Sequence, residues 1–319
     1  MQFDYDNRDH GGRIDQAIAT YGGDRSAWID LSTGINPVPY PPPRMEPHSF
    51  TALPDTAATE AIIQAARRFW AVPRDAAILP VPGASIAIAQ IPFLTAAGSV
   101  RLRTPSYNEH AAAFTAAGWS ITDTDAAKAR VLVHPNNPDG HWYTAHQAES
   151  PMTVIDESFC DVDPERSLMD CATRPGVLIL KSFGKFWGLA GLRLGFVIGD
   201  PDLVRKLALR LGPWAVSGPA LAVGTAALND PDWAIRTRAY LDADVTRLDR
   251  AVLAKGGNYA GGTSLFRLYE HPRAKDLHEH LASRHIWTRT FPWSASAIRF
   301  GLPAPAQWDR LSAALGDFA

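Results

Sequence analysis

Apolar positions fall into three regimes along the chain. In the first fifty residues, two Gly-Gly pairs (Gly11-Gly12 and Gly22-Gly23) and a proline-dense run over 37–47 interrupt every long periodicity. This predicts an extended arm with one short helix near 14–20. Tyr21, Trp28, Ile29 and Leu31 supply apolar anchors, so an ordered arm is expected. From residue 55 helical and strand-like patterns alternate. Residues 56–70 put Ala58, Ile62, Ala65 and Phe69 on one helical face. Compact apolar runs follow at 76–79, 99–103, 130–134, 153–155, 177–180 and 195–198, with helical stretches at 84–97 and 109–117 between some of them. Buried strands alternating with helices predict an α/β fold with a mostly parallel sheet covered on both faces.

After Pro201 helical patterns dominate, over 202–211, 220–228 and 232–253. Strand-like runs at 264–268 and 297–300 then flank a helix around 275–284. The resulting organisation is an N-terminal arm (1–50), a large α/β domain (51–210) and a small C-terminal α+β domain (211–319).

Composition narrows the function classes. A chain of 319 residues, 46% hydrophobic and 20% charged, is long enough for a sizeable core. A formal charge of −2 offers no dominant field for a nucleic acid or a membrane surface. The two cysteines, Cys160 and Cys171, are too few for a disulfide framework or a cysteine zinc site, and fit a reducing compartment. Residues 1–6 lack the basic and apolar regions of a signal peptide. The longest largely apolar stretch, 84–97, contains Gln90 and Pro92 and falls short of the ~20 residues of a spanning helix. A cytoplasmic protein is expected.

The candidate chemistry lies where predicted strands end, which is where open α/β sheets bind ligands. The run 76–79 leads to Pro82-Gly83-Ala84-Ser85 at a helix start, and 130–134 to Asn136-Asn137-Pro138-Asp139-Gly140. The run 153–155 ends in Asp156-Glu157-Ser158, and 177–180 in Lys181-Ser182-Phe183-Gly184-Lys185. These residue types match the needs of pyridoxal 5′-phosphate. That cofactor takes a lysine for covalent attachment and proton transfer, and a carboxylate for its pyridine nitrogen. It also takes a donor for its 3′-oxygen, and a helix start, hydroxyls and an arginine for its phosphate. Lys185, Asp156 and Asn137 are the candidates for the first three. Gly83, Ala84, Ser85, Ser182 and Arg193 are those for the phosphate. Tyr107 could stack on the ring, and Arg299 could grip a substrate carboxylate.

Two other readings fail on spacing. Gly184-Lys185 is no nucleotide-binding loop, because Ile179 and Phe186 stand where a glycine and a hydroxyl residue are required. His278 and His280, two apart on a helix, do not converge on a metal, so a solvated helix face is expected for the cluster His271, His278, His280 and His285.

The segment Ser182-Phe183-Gly184-Lys185 with Gly188-Leu189-Ala190-Gly191-Leu192-Arg193-Leu194-Gly195 resembles the lysine signature of the fold-type-I, class I/II aminotransferases, including the eight-residue step from Lys185 to Arg193. Asn136-Asn137-Pro138-Asp139-Gly140 and Asp156-Glu157-Ser158-Phe159 resemble two further motifs of that family, in the same order. His10-Gly11-Gly12 and Ser32-Thr33-Gly34-Ile35-Asn36-Pro37 resemble the opening of one group within it, the threonine-phosphate decarboxylases of cobalamin biosynthesis. The C-terminal pair Arg289 and Arg299 looks like the paired arginines of this group and of the histidinol-phosphate aminotransferases.

The resemblance implies a fold-type-I homodimer that binds pyridoxal phosphate and converts L-threonine O-3-phosphate to (R)-1-aminopropan-2-ol O-2-phosphate and CO2. His10, Asn36 and Arg289 would bind the substrate phosphate. Three departures bear on cofactor tuning. Gly184 replaces a Ser or Thr before the lysine, Phe159 replaces a tyrosine donor to the 3′-oxygen, and Leu53 replaces a tyrosine expected to reach a neighbouring subunit. The same side chains serve transamination, since the outcome depends on which Cα bond stands perpendicular to the cofactor ring. A histidinol-phosphate-type aminotransferase and a non-catalytic cofactor-binding protein are therefore the alternatives.

Overall fold

A computed structural model describes residues 8–318; the 1–6 segment considered above lies outside the described residues. The chain divides into two compact units, one comprising residues 39–237 and the other the chain's two ends, up to Val38 and from Arg238.

The first unit is built on a seven-stranded sheet. Its strand order is Ala77–Val81, Gly195–Gly199, Val177–Ser182, Met152–Asp156, Ala129–Val133, Ser99–Leu102, Ser120–Thr122. Gly195–Gly199 runs antiparallel to both of its neighbours, and every other pairing is parallel. Met152–Asp156 and Gly195–Gly199 are buried at every position, which is why they read in the sequence as apolar runs without alternation. Pro80 is tolerated because its strand lies at the sheet's edge. The α/β expectation with a mostly parallel sheet therefore holds.

The helix expected over 84–97 is shorter. It spans Ala84–Gln90 and gives way to a 3-10 turn, Ile91–Phe93, because Pro92 cannot donate the hydrogen bond that would continue it. Thr56–Phe69 starts at Asp55, whose carboxylate accepts the Ala58 N–H at 2.7 Å, and buries Ile62, Ala65 and Ala66. It packs against Gly218–Leu228, so that helix belongs to this unit although it lies beyond residue 210. The boundary expected at 210 marks a change of sequence pattern, whereas contacts carry the unit on to Thr237.

In the second unit a four-stranded antiparallel sheet runs Arg289–Phe291, Ser294–Gly301, Phe266–Glu270, Asn258–Thr263. The arm is more than an extended segment. Its helix Ile14–Tyr21 buries Ile14 and Ala17, and Ile29–Asp30 pairs in parallel with Ile286–Trp287. Leu31 is tied on both sides, donating to the Trp287 carbonyl at 2.7 Å and accepting from Gly301 N–H at 2.6 Å. The expected solvated histidine face is corrected here. His271 is buried against the Lys255 carbonyl, His278 meets the Thr288 hydroxyl at 2.8 Å, and His280 meets the Ala314 carbonyl at 2.8 Å. These imidazoles satisfy backbone and hydroxyl groups where helix Ala274–Ala282 packs. Among the described residues, no helix is long and apolar enough to cross a membrane.

Candidate active site

Sheet register brings the predicted residues of the first unit to one edge. Val133, Asp156 and Leu180 are partners across three parallel strands, and Val81, Gly195 and Ser182 form a second row beside them. The loops leaving these rows carry Asn137, Lys185 and Gly83.

Asp156 closes its strand fully enclosed. One carboxylate oxygen lies 2.8 Å from His110 Nε2, and the other accepts the Ser158 hydroxyl at 2.6 Å and the Ser158 N–H at 3.0 Å. Burial alone would raise the Asp156 pKa. The hydrogen bonds from His110 and Ser158 outweigh it and hold the carboxyl below its usual range. His110 carries no role in the sequence reading. Its signal is its position three residues after Tyr107 at the opening of helix Asn108–Ala116, which puts both on one side of the first turn. The Tyr107 and His110 rings meet edge to face, 6.1 Å between centroids. Asn137 is buried in the following loop, which Asn136 braces through Ser106 Oγ at 2.6 Å and Asp139 at 2.7 Å.

Lys185 is half-buried, with its Nζ 5.0 Å from the centre of the Phe159 ring. Its loop is clamped by stacking. Phe183 lies flat on Trp187 at 5.1 Å, and Trp187 lies flat on Trp233 at 5.3 Å. Ser182 Oγ accepts the Gly184 N–H at 3.2 Å. Arg193 adopts a left-handed backbone (φ 54°) and donates to the Ala190 carbonyl at 3.0 Å. Its guanidinium reaches Gly83, which has φ 83°, and a Cβ there would stand 2.5 Å from Arg193 Nη2. Only a glycine admits that approach of the arginine to the start of helix Ala84–Gln90, whose Ser85 is exposed.

Behind this edge lies a buried ion cluster that sequence reasoning missed. Lys181 Nζ lies 2.6 Å from Glu157 and 3.2 Å from Asp161. Asp161 also accepts the indole N–H groups of Trp70 at 2.9 Å and Trp187 at 3.1 Å. Burial opposes the charge on Lys181, but Glu157 and Asp161 prevail and raise its pKa; burial likewise opposes Glu157, which Lys181 holds below its usual value. His134, Glu157 and Cys160 come within ligand distance of one another, yet their donors are committed elsewhere. His134 meets the Arg166 carbonyl and the Tyr143 N–H, and Glu157 accepts from Ser167 and Leu168. Lys181→Met would strand two carboxylates without a cation, and a loss of about 3–5 kcal/mol is expected. A urea unfolding curve checks it. Because Glu157 titrates below its ordinary range, the stability it adds is complete at neutral pH and disappears as pH falls through that lowered value.

The second unit holds the remaining predicted residues. Arg289 and Arg299 are directly opposed across an antiparallel pair, an arrangement of like charges that costs stability unless an anion answers it. Arg299 is buried and donates to the Ser32 carbonyl at 2.6 Å. Burial and then repulsion from Arg289 push its guanidinium pKa down to about 9. Arg289 meets Asp9, next to the half-buried His10. Asn36 is buried, and its side-chain oxygen accepts the Val38 N–H at 2.9 Å.

Residues 27–315 match the family described as aminotransferase class I and II. A threonine-phosphate decarboxylase from Pseudomonas aeruginosa is 38% identical, over 97% of this chain and 98% of its own length. One from a Sinorhizobium species is 39% identical, over 94% and 95%. The crystal structure of histidinol-phosphate aminotransferase from Sinorhizobium meliloti in complex with pyridoxal-5′-phosphate superposes with a TM-score of 0.81. It is 20% identical and covers 99% of this chain and 97% of that one.

Proposed function

Because this chain belongs to the class I and II aminotransferase family, we propose that it is a pyridoxal-phosphate-dependent lyase. It decarboxylates L-threonine O-3-phosphate to (R)-1-aminopropan-2-ol O-2-phosphate and CO2, supplying the aminopropanol linker of cobalamin. The observation that carries the reading is the near-full-length identity to two threonine-phosphate decarboxylases. The paired arginines Arg289 and Arg299 add to it, since they suit a substrate with a carboxylate and a phosphate.

The residues fit the cofactor. The close approach of Arg193 to Gly83, a space that any Cβ would fill, suits the 5′-phosphate, with Ala84, Ser85 and Ser182 as further donors. Asp156, kept ionised by His110 and Ser158, suits a protonated pyridine nitrogen. Asn137 is assigned to the 3′-oxygen, Tyr107 to the ring face and Lys185 to covalent attachment. When bound, pyridoxal phosphate supplies an electron sink for the pair left on Cα.

This chain's own side chains then divide the work. Arg299 holds the carboxylate that departs as CO2. His10, Asn36 and Arg289 hold the phosphate, which fixes the orientation of the Cα bonds. Lys185 Nζ delivers the proton that replaces the carboxylate on Cα. With Phe159 in place of a tyrosine, that position brings no hydroxyl to the 3′-oxygen. A homodimer belongs to the same proposal, and Phe50 and Leu53, 68% and 65% exposed, are side chains that such an interface could cover. A cytoplasmic location is part of the same reading.

The test is a product assay with threonine O-3-phosphate. Release of CO2 without 2-oxoglutarate is expected. Glutamate formation that requires 2-oxoglutarate would replace the lyase with an aminotransferase, and no turnover in a cofactor-loaded protein would leave a binding protein.

A further inference from the structure

The arm presents an anion of its own to the substrate-phosphate arginine. Arg289 Nη2 lies 3.0 Å from Asp9 Oδ2 and 3.1 Å from the Asp9 carbonyl oxygen. The Arg289 side chain is only 13% exposed, whereas Asp9 keeps 34% of its side chain in water. The guanidinium is thus largely enclosed, whereas the carboxylate that meets it also faces solvent.

The segment that carries Asp9 is tethered just beyond it. Gly12 N–H donates to Ser32 Oγ at 2.7 Å, and that hydroxyl donates to Asp30 at 2.6 Å. Ser32 also offers its carbonyl to Arg299, and a Cβ on Gly11 would collide with the same carbonyl oxygen. Asp9 is therefore tethered close to Arg289, which gives its carboxylate a high effective concentration there.

We propose that Asp9 is a positioning residue that acts as an anion latch. Its carboxylate occupies Arg289 in the empty enzyme, yields to the phosphate of the incoming substrate, and reclaims Arg289 as product leaves. The proposal rests on the assignment of Arg289 to the substrate phosphate. It follows from the reaction itself, because decarboxylation removes the carboxylate and leaves the phosphate untouched. Substrate and product therefore share their grip on Arg289, and release needs a competitor for that guanidinium. A tethered carboxylate is such a competitor, and it lowers apparent phosphate affinity by the fraction of time it is seated.

The experiment measures inhibition of the holoenzyme by inorganic phosphate, with threonine O-3-phosphate as substrate, in the wild type and in Asp9→Asn, Asp9→Glu and Arg289→Gln. The latch predicts that Asp9→Asn lowers both the inhibition constant of phosphate and the KM, each by about fivefold, without raising kcat. Asp9→Glu restores wild-type values. If Asp9 serves only to brace Arg289, Asp9→Asn weakens phosphate instead, and weakened or unchanged inhibition overturns the latch. Arg289→Gln should raise both constants. If it leaves them unchanged, the assignment of Arg289 to the phosphate fails, which is a separate outcome from failure of the latch.

Discussion

Lys185→Ala is expected to lower CO2 release from threonine O-3-phosphate by about 10⁴-fold, because the proposed function gives one nitrogen two duties. It attaches the cofactor to the chain, and it returns a proton to Cα after the carboxylate departs. The position suits both. The loop is pinned by the Phe183–Trp187–Trp233 stack, with Lys185 Nζ 5.0 Å from the centre of the Phe159 ring. Lys185→Arg separates charge from chemistry. It keeps the cation but cannot give up its proton near neutral pH, so it should be as inactive as the alanine variant. Borohydride reduction followed by peptide mass analysis is the second measurement. In the wild type the cofactor's mass should appear on the peptide containing Lys185, and in both variants it should be absent. Covalent capture at another lysine, with activity retained, would move the role away from Lys185.

The parts of the molecule legible in the sequence are those in which local pattern and final environment agree. Strands such as Met152–Asp156 are buried on both faces, so their apolar runs announce them, and the polar residues that follow mark the edge where the site forms. Asn258–Thr263 was not legible, because Gly261-Gly262 reads as a turn. Gly262 in fact holds φ 140° in a strand, where a Cβ would collide with the Phe266 carbonyl oxygen. Nor could the sequence show that Ile29–Asp30 pairs with Ile286–Trp287, since that contact joins opposite ends of the chain. Lys181 is a subtler case. A lysine beside a motif reads as a surface residue, and it is buried only because Glu157 and Asp161 arrive from another strand end and the turn after it. The same reason hides Asp9, whose partner Arg289 belongs to the far C-terminal region. Roles that depend on one residue type in a motif can be read directly; roles that depend on a partner distant in sequence need the fold.

Asp156→Asn should be the second most damaging change, lowering kcat by about 10³-fold while leaving the cofactor attached. The substitution preserves volume and can still accept a hydrogen bond, so the buried edge of the sheet should keep its shape. What disappears is the negative charge. In the wild type, two hydrogen bonds from Ser158 and one from His110 keep Asp156 ionised in a fully enclosed position. In the proposed function that charge would stabilise a protonated pyridine nitrogen, and without the proton the ring would accept electrons far less readily. Asp156→Glu provides the control, since it restores charge at the expense of position and should recover part of the loss. Borohydride capture at Lys185 must remain complete in both variants. If Asp156→Asn lost the cofactor altogether, Asp156 would be a binding residue whose charge has no catalytic consequence. If kcat were unchanged with the cofactor in place, the pyridine nitrogen would be served by another group. The expected result, full attachment with slow turnover, assigns the charge of Asp156 to the breaking of the Cα–carboxylate bond and not to holding the cofactor.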